Sequence, residues 1–236
     1  HLSIRRQRQM CIRDRDMKLF PHMLIGGVSG AGKTTLLKSM LKQSIENRDK
    51  VVLLIPKKVG FDEALTAHSA ASSNTLEVGK SIYESNALLT KVKSELESRY
   101  EKMQEAGSNN FLSLSEDATA IVVLIDEIIP LVRPLDPSLD PELDEANKKD
   151  NIVIKEILSA LTTIARLGRA AGIHLVITTQ QPASEFIPSE IKPNLDARVA
   201  LGTMEESDSQ VLLNAPDAAS LPAKFDVGIY LSLIHI

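Results

Sequence analysis

One octapeptide limits what this chain can be: Gly27-Val28-Ser29-Gly30-Ala31-Gly32-Lys33-Thr34, followed by Thr35. It fits G-x-x-x-x-G-K-[ST], a loop that wraps phosphate. Its flanks suit that reading. His22-Met23-Leu24-Ile25-Gly26 is an apolar run expected to be a buried strand, and Thr34-Thr35-Leu36-Leu37-Lys38-Ser39-Met40-Leu41 has the apolar spacing of a helix. Gly27, Gly30 and Gly32 permit backbone conformations closed to other residues, so successive N–H groups can converge on one anion. The helix N-terminus adds positive potential there. Within the nucleotide-binding set Gly27, Val28, Ser29, Gly30, Ala31, Gly32, Lys33, Thr34 and Thr35, Lys33 is expected to reach the β- and γ-phosphates and the Thr34 hydroxyl to ligate Mg²⁺. The ligand expected is ATP with Mg²⁺.

The rest of the chain supplies a matching scaffold. Val51–Ile55, Ala120–Ile125, Gly172–Thr178 and Ala197–Gly202 are further apolar runs that read as strands. Between them lie helical patterns. In the longest, about 81–106, Leu89, Val92, Leu96, Tyr100 and Met103 form an apolar stripe, with Lys91, Lys93, Glu95, Glu97, Arg99 and Glu101 on the wet side. That stripe reads as core packing rather than a docking seam. A later helix has Ile154, Ile157, Leu158, Leu161, Ile164, Ala165 and Gly168 on one face, and a short acidic helix starts at Glu205–Asp208. Five apolar strands separated by helices imply an α/β fold, a parallel sheet with helices on both faces. Ligands in such sheets bind beyond the carboxyl ends of the strands.

Two carboxylates stand at such an end. The Ala120–Ile125 run goes straight into Asp126-Glu127. Asp126 is placed to hold Mg²⁺ through its water shell, and Glu127 to polarise the water that attacks the γ-phosphate. Gln180, just past another strand, either senses the γ-phosphate and orients water or caps a turn. His174, in the middle of that strand, reads as packed rather than catalytic.

Composition excludes several alternatives. The single cysteine, Cys11, and five scattered histidines offer neither a disulfide framework nor a zinc cluster. No apolar run reaches the roughly 18 residues that span a bilayer. The net charge of −4 is uneven: Arg5, Arg6, Arg8, Arg13, Arg15 and Lys18 against Asp14 and Asp16 give the first eighteen residues +4, leaving about −8 for the remainder. A body so acidic does not hold nucleic acid through a broad basic face, so any DNA contact falls to local loops. Residues 134–150, PLDPSLDPELDEANKKD, read as an acidic, solvated, mobile insertion. Inside it Asn147-Lys148-Lys149-Asp150 matches a guanine-reading motif but follows no buried strand, and Ile129 stands where the companion glycine belongs. A GTPase is therefore rejected. So is an ABC-type ATPase, because Leu112-Ser113-Leu114-Ser115-Glu116 lacks both glycines of L-S-G-G-Q.

The motifs together resemble the motor domain of the FtsK/SpoIIIE family of DNA translocases, over roughly residues 20–225. The likeness rests on Pro21–Ile25 leading into the phosphate loop, Glu97-Ser98-Arg99-Tyr100, Val123–Glu127, and Gly168–Leu175 flowing into Thr178-Thr179-Gln180-Gln181-Pro182. The resemblance implies a RecA-like domain that assembles into a homo-hexamer, binds ATP between neighbours and pulls double-stranded DNA with pore loops. It also implies a cytoplasmic domain whose parent protein is anchored to the inner face of the cell membrane through parts outside this stretch. A neighbour's arginine completes the site in such rings. Arg169, in the family's R-A-A-G-I-H stretch, and Arg198, in the strand after a proline, are the candidates, with a surface salt bridge as the alternative role for each. The chain departs from the pattern at Ile55, where the family shows aspartate before Pro-Lys, and at Gln181, where it shows arginine. With the insertion, these differences point to a divergent branch, such as a conjugative-element or phage translocase.

The expected organisation is one RecA-like ATPase motor domain over 17–230 with its insertion at 134–150. Residues 1–16 read either as a nucleic-acid-binding basic arm or, preferably, as a non-native leader, because RRQRQMCIRDR resembles translated adaptor sequence. Residues 231–236 read as a non-native tail. Two other functions compete with the motor: a protein-secretion ATPase of the same fold, and a scaffold that binds nucleotide without hydrolysis. The intact Lys33, Asp126 and Glu127 argue against the scaffold. Lys33→Ala should abolish nucleotide binding while the fold survives, checked by nucleotide titration alongside circular dichroism.

Overall fold

The computed structural model describes residues 21–57, 60–61, 76–182, 187–220 and 230–232. Strands β1 (His22–Gly27), β2 (Lys50–Leu54), β3 (Leu76–Gly79), β4 (Ile121–Ile125), β5 (Ile173–Thr179), β6 (Ala197–Leu201) and β7 (Tyr230–Ser232) form one sheet in the order β3-β2-β4-β5-β1-β6-β7. The first six are parallel, and β7 closes the edge antiparallel to β6. Five of these strands are the apolar runs of the sequence. The period of two then sorts their side chains. Met23 and Ile25 of β1 pack with Leu37 and Leu41 of helix α1 (Lys33–Glu46) on one face. Leu24 points to the other face, into a core built with α2 (Ile82–Glu105) and α4 (Pro141–Ala171). Both faces are covered, as continuous apolar strands require.

Three features differ from the sequence reading. β3 and β7 were not expected. β3 is a four-residue edge strand with only its last residue buried, too short and too wet to show as an apolar run. β7 takes in Leu231 and Ser232, which pair with Ala200 and Val199. The second half of the acidic insertion is not a loop but the start of the 31-residue helix α4. Asp140 caps it, accepting from the N–H groups of Glu142 (3.0 Å) and Leu143 (3.4 Å), and Pro141 occupies the first turn. The preceding stretch is tied down by Asn151, which both donates to and accepts from the Leu135 backbone, and by Asn147 donating to the Asp136 carbonyl at 2.8 Å. A short helix α3 (Ile129–Val132) links β4 to this stretch, and α5 (Glu206–Leu213) follows β6. Residues 1–16 lie outside the described residues.

Arg99 is the third correction. Placed by pattern on the wet side of α2, it is 1% exposed. Its guanidinium donates to the carbonyls of Ala171 (2.7 Å) and Thr119 (3.1 Å) and to Glu95 Oε1 (3.0 Å), and it stacks 4.2 Å from the Phe111 ring centroid. Burial lowers its pKa, and the Glu95 hydrogen bond and charge oppose that. The apolar stripe beside it is core, as expected: Leu89, Val92, Leu96 and Met103 are buried, and the Tyr100 hydroxyl donates to the Leu167 carbonyl.

A second buried polar pair sits where β1 meets β5. His22 Nδ1 accepts the Leu175 N–H at 3.0 Å, and a His174 ring nitrogen lies 3.2 Å from the Pro21 carbonyl, so His174 is a packed residue. Gly168 lets α4 approach: a Cβ there would meet the Ile173 carbonyl at 2.5 Å and His22 Cε1 at 3.1 Å. Burial, and then the neighbouring His174, push the His22 pKa down from 6.5 to about 3. The folded chain therefore keeps this ring neutral while the unfolded chain protonates it, so its contribution is intact above pH 6.5 and falls away as pH drops toward 3. At pH 5 the loss is about 2 kcal/mol. Urea unfolding at pH 7 and pH 5 should show that decline in the native chain, and a shallower one in His22→Asn, whose amide oxygen can still accept from Leu175.

Candidate functional site

The turn after β1 is the phosphate loop, and its glycines have distinct reasons. Gly30 (φ 79°) and Gly32 (φ 93°) adopt left-handed backbone in open space, so their need is conformational. Gly27 is held by contact instead: a Cβ would meet the Leu201 carbonyl of β6 at 2.5 Å. Gly32 is the N-cap of α1 and offers no side chain, which leaves the first-turn N–H groups for an anion.

Lys33 is buried beneath this loop. Its ammonium donates to the carbonyls of Gly27 and, at 2.8 Å, Val28. The same cation that would grip phosphate also braces the loop. Burial lowers its pKa, the Glu127 and Asp126 carboxylates raise it, and Lys57 lowers it further.

Asp126 and Glu127 lie at the end of β4, with β5 between them and β1. The Thr34 hydroxyl donates to Asp126 Oδ1 at 3.3 Å, so the two residues expected to hold Mg²⁺ are adjacent. Burial raises the Asp126 pKa; the Thr34 hydrogen bond opposes that, the Glu127 charge adds to it, and Lys33 and Lys57 offset it. Hydroxyl and carboxylate are hard oxygen donors, and Mg²⁺ bound by one or two protein oxygens plus substrate phosphates needs no more. Among the described residues no cluster of three or more histidine, cysteine or acidic side chains offers a self-sufficient metal site. The donor set therefore fits a metal that arrives with phosphate.

Glu127 is 4% exposed and takes φ 74°, unusual without glycine and costing on the order of 1 kcal/mol. What holds it there is the end of β5. Its N–H donates to Thr178 Oγ1 (3.0 Å), and its carboxylate accepts from Thr179 Oγ1 (3.3 Å) and the Gln180 N–H (3.1 Å). Lys57 completes the set, with Nζ 3.5 Å from Glu127 Oε2. Lys33, Lys57, Asp126, Glu127 and Gln180 share one cleft of about 230 Å³ over the phosphate loop. That is below the ~300–1,000 Å³ of whole small-molecule sites and suits a phosphate chain whose base lies outside.

Sequence reasoning missed Lys57, Thr178 and Thr179. The signal for Lys57 is its place directly after Pro56 at the carboxyl end of β2, the same sheet edge as Asp126. The two arginines are not in this cleft. Arg169 is exposed near the C-terminus of α4, just before β5 begins, at the amino end of that strand; Arg198, the second residue of β6, pairs with Leu24 of β1 and lies three strands across from β4. Among the described residues Arg198 has no carboxylate within salt-bridge distance. It donates to the carbonyls of Leu195 (3.2 Å), Lys192 (3.3 Å) and Leu212 (3.5 Å), and burial lowers its pKa against the pull of Asp196. Asn147–Asp150 is helical within α4, with Lys148 paired to Asp144 and Asp150 accepting from Tyr83, and takes no part in the site.

A parallel sheet with a glycine-rich loop after β1 and carboxylates after β4 defines a P-loop nucleoside triphosphatase fold. The sequence model of the FtsK/SpoIIIE family matches residues 4–184, and the chain belongs to that family. It is 30% identical over 226 residues to the DNA translocase FtsK of Chlamydia pneumoniae, covering 92% of this chain and 27% of that protein. It is 28% identical to the DNA translocase FtsK of Staphylococcus epidermidis, covering 88% of this chain and 26% of that one. The chain thus spans about a quarter of the length of these relatives. Among solved structures it resembles the pCW3 conjugation coupling protein TcpA, determined with ATPγS (25% identity, TM-score 0.78, 94% of this chain and 59% of that one). It shares its fold with the type VII secretion ATPase EccC of Thermomonospora curvata (19% identity, TM-score 0.57, 91% and 25%).

Gly32→Ala should cost about 1–2 kcal/mol, the penalty for a side chain in left-handed backbone, and weaken nucleotide binding with it. A urea midpoint and a nucleotide titration on the same variant check both.

Proposed function

We propose that this chain is the ATP-hydrolysing motor domain of a protein that moves double-stranded DNA, working as a hexameric ring. The observation that carries the proposal is the convergence of Lys33, Thr34, Asp126 and Glu127 on one cleft, in a chain of the FtsK/SpoIIIE family. In this reading 17–230 is a single motor domain, cytoplasmic and joined to membrane-anchored parts of its parent protein. Among the described residues no helix is long and apolar enough to cross a membrane.

Each residue has a task. The loop N–H groups and Lys33 bind the β- and γ-phosphates of ATP and fix their orientation. Thr34 and Asp126 would hold Mg²⁺, which when bound would neutralise charge on the phosphate oxygens. Glu127, carried by the end of β5, accepts a hydrogen bond from the attacking water, and Gln180 stands beside it. Arg169 and Arg198 sit away from their own cleft, which suits a residue offered to a neighbouring subunit. Arg169 is the freer of the two, because the Arg198 guanidinium is spent on backbone carbonyls.

The likeness to a secretion ATPase concerns fold alone and does not choose the cargo. ATP turnover by the intact parent protein should rise with duplex DNA, with salt-sensitive binding, and not with a secretion-signal peptide; the reverse pattern would move the assignment to protein export. Glu127→Gln should retain ATP and slow hydrolysis by about a hundredfold or more. Normal turnover by that variant would mean another group orients the water.

A further inference from the structure

Lys57 is the feature of the cleft that the roles above leave unused. It follows β2, with no carboxylate immediately before it: Ile55 is buried in the apolar core, and Pro56 intervenes. Its ion pair is with Glu127, at 3.5 Å, and the two partners differ sharply in freedom. The Glu127 side chain is 5% exposed and fixed by Thr179 and Gln180, whereas that of Lys57 is 43% exposed. The ammonium on a four-carbon stem is therefore the movable member, and the carboxylate the fixed one. Lys57 also lines the cleft above Lys33 and Thr34, and it acts electrostatically on Lys33 and Asp126. A dianionic terminal phosphate placed between the loop and Glu127 would offer Lys57 a stronger partner than one carboxylate that already accepts two hydrogen bonds.

We infer that Lys57 recognises the terminal phosphate of the bound nucleotide, and that its transfer from Glu127 to that phosphate leaves Glu127 free to orient water. Lys57 is thus a specificity determinant for triphosphate over diphosphate and a positioning residue for Glu127. The inference rests on the nucleotide-binding reading above but not on the nature of the cargo.

The test is a binding cycle that needs no turnover. Affinities for ATPγS and ADP, each with Mg²⁺, are measured by calorimetry on the full chain and on Lys57→Ala, Lys57→Arg, Glu127→Gln and the Lys57→Ala/Glu127→Gln double variant. Lys57→Ala should weaken ATPγS by about tenfold or more, the worth of a charge-assisted hydrogen bond, with ADP changed by less than about twofold. The retained ADP affinity also shows that the variant is folded. Lys57→Arg should restore most of the preference. Glu127→Gln releases the lysine and should tighten ATPγS several-fold, an effect that disappears when Lys57 is also alanine. Equal losses for ATPγS and ADP in Lys57→Ala would overturn the inference. So would a Glu127→Gln effect that persists without Lys57, because simple charge removal would then explain it. If the unaltered chain binds neither nucleotide, the functional reading itself fails and takes this inference with it. That result is distinct from a chain that binds both but shows no role for Lys57.

Discussion

A single intervening strand sets the distance on which this site depends. The phosphate loop leaves β1, the acidic pair leaves β4, and β5 lies between them, so two inter-strand steps, about 10 Å, separate the two halves. Register fixes the rest: Gly26 is level with Thr179, and Ile125 with Ile177. The gap is bridged by Thr34 reaching Asp126, and Glu127 is seated on the hydroxyls and amide at the end of β5. A slip of one residue in β5 would turn Thr178 and Thr179 to opposite faces and remove that seat.

The electrostatics follow from the same closeness. Two lysines and two carboxylates occupy one small cleft, and burial works against the charged form of Lys33 and Asp126 alike. Opposite charges in the cleft counter that penalty for both. Such a site is balanced before any ligand arrives. A phosphate chain with its cation brings both signs at once, so neither set of side chains is left facing an unmatched charge.

Much of this was legible in the chain because the relevant signals are local. A buried parallel strand reads as an unbroken apolar run, and the loop glycines and Lys33 are contiguous with β1. What escaped depends on distant partners. Arg99 sits in a helical pattern like any surface charge, and only the Ala171 and Thr119 carbonyls, brought close by the fold, explain its burial. Lys57 and Thr178 carry no motif of their own, since their relevance comes from meeting Glu127 across the sheet edge. The start of α4 was a different failure. Asp140-Pro141 is a sound helix-start signal, outweighed in the sequence reading by the density of acid and proline around it. The left-handed backbone of Glu127 leaves no trace in sequence, because glutamate does not advertise it.

β1 is hydrogen-bonded to β5 on one side and β6 on the other, and all six of its residues are buried. The root of the phosphate loop therefore sits in a buried, doubly paired part of the sheet. Its backbone amides should trade their hydrogens for deuterium only when the whole domain unfolds, while those at exposed Ser29 and Gly30 trade theirs without it. On the proposed reading, any motion that hydrolysis drives has to be taken up by other parts of the chain, because the loop is rooted in a strand buried along its whole length.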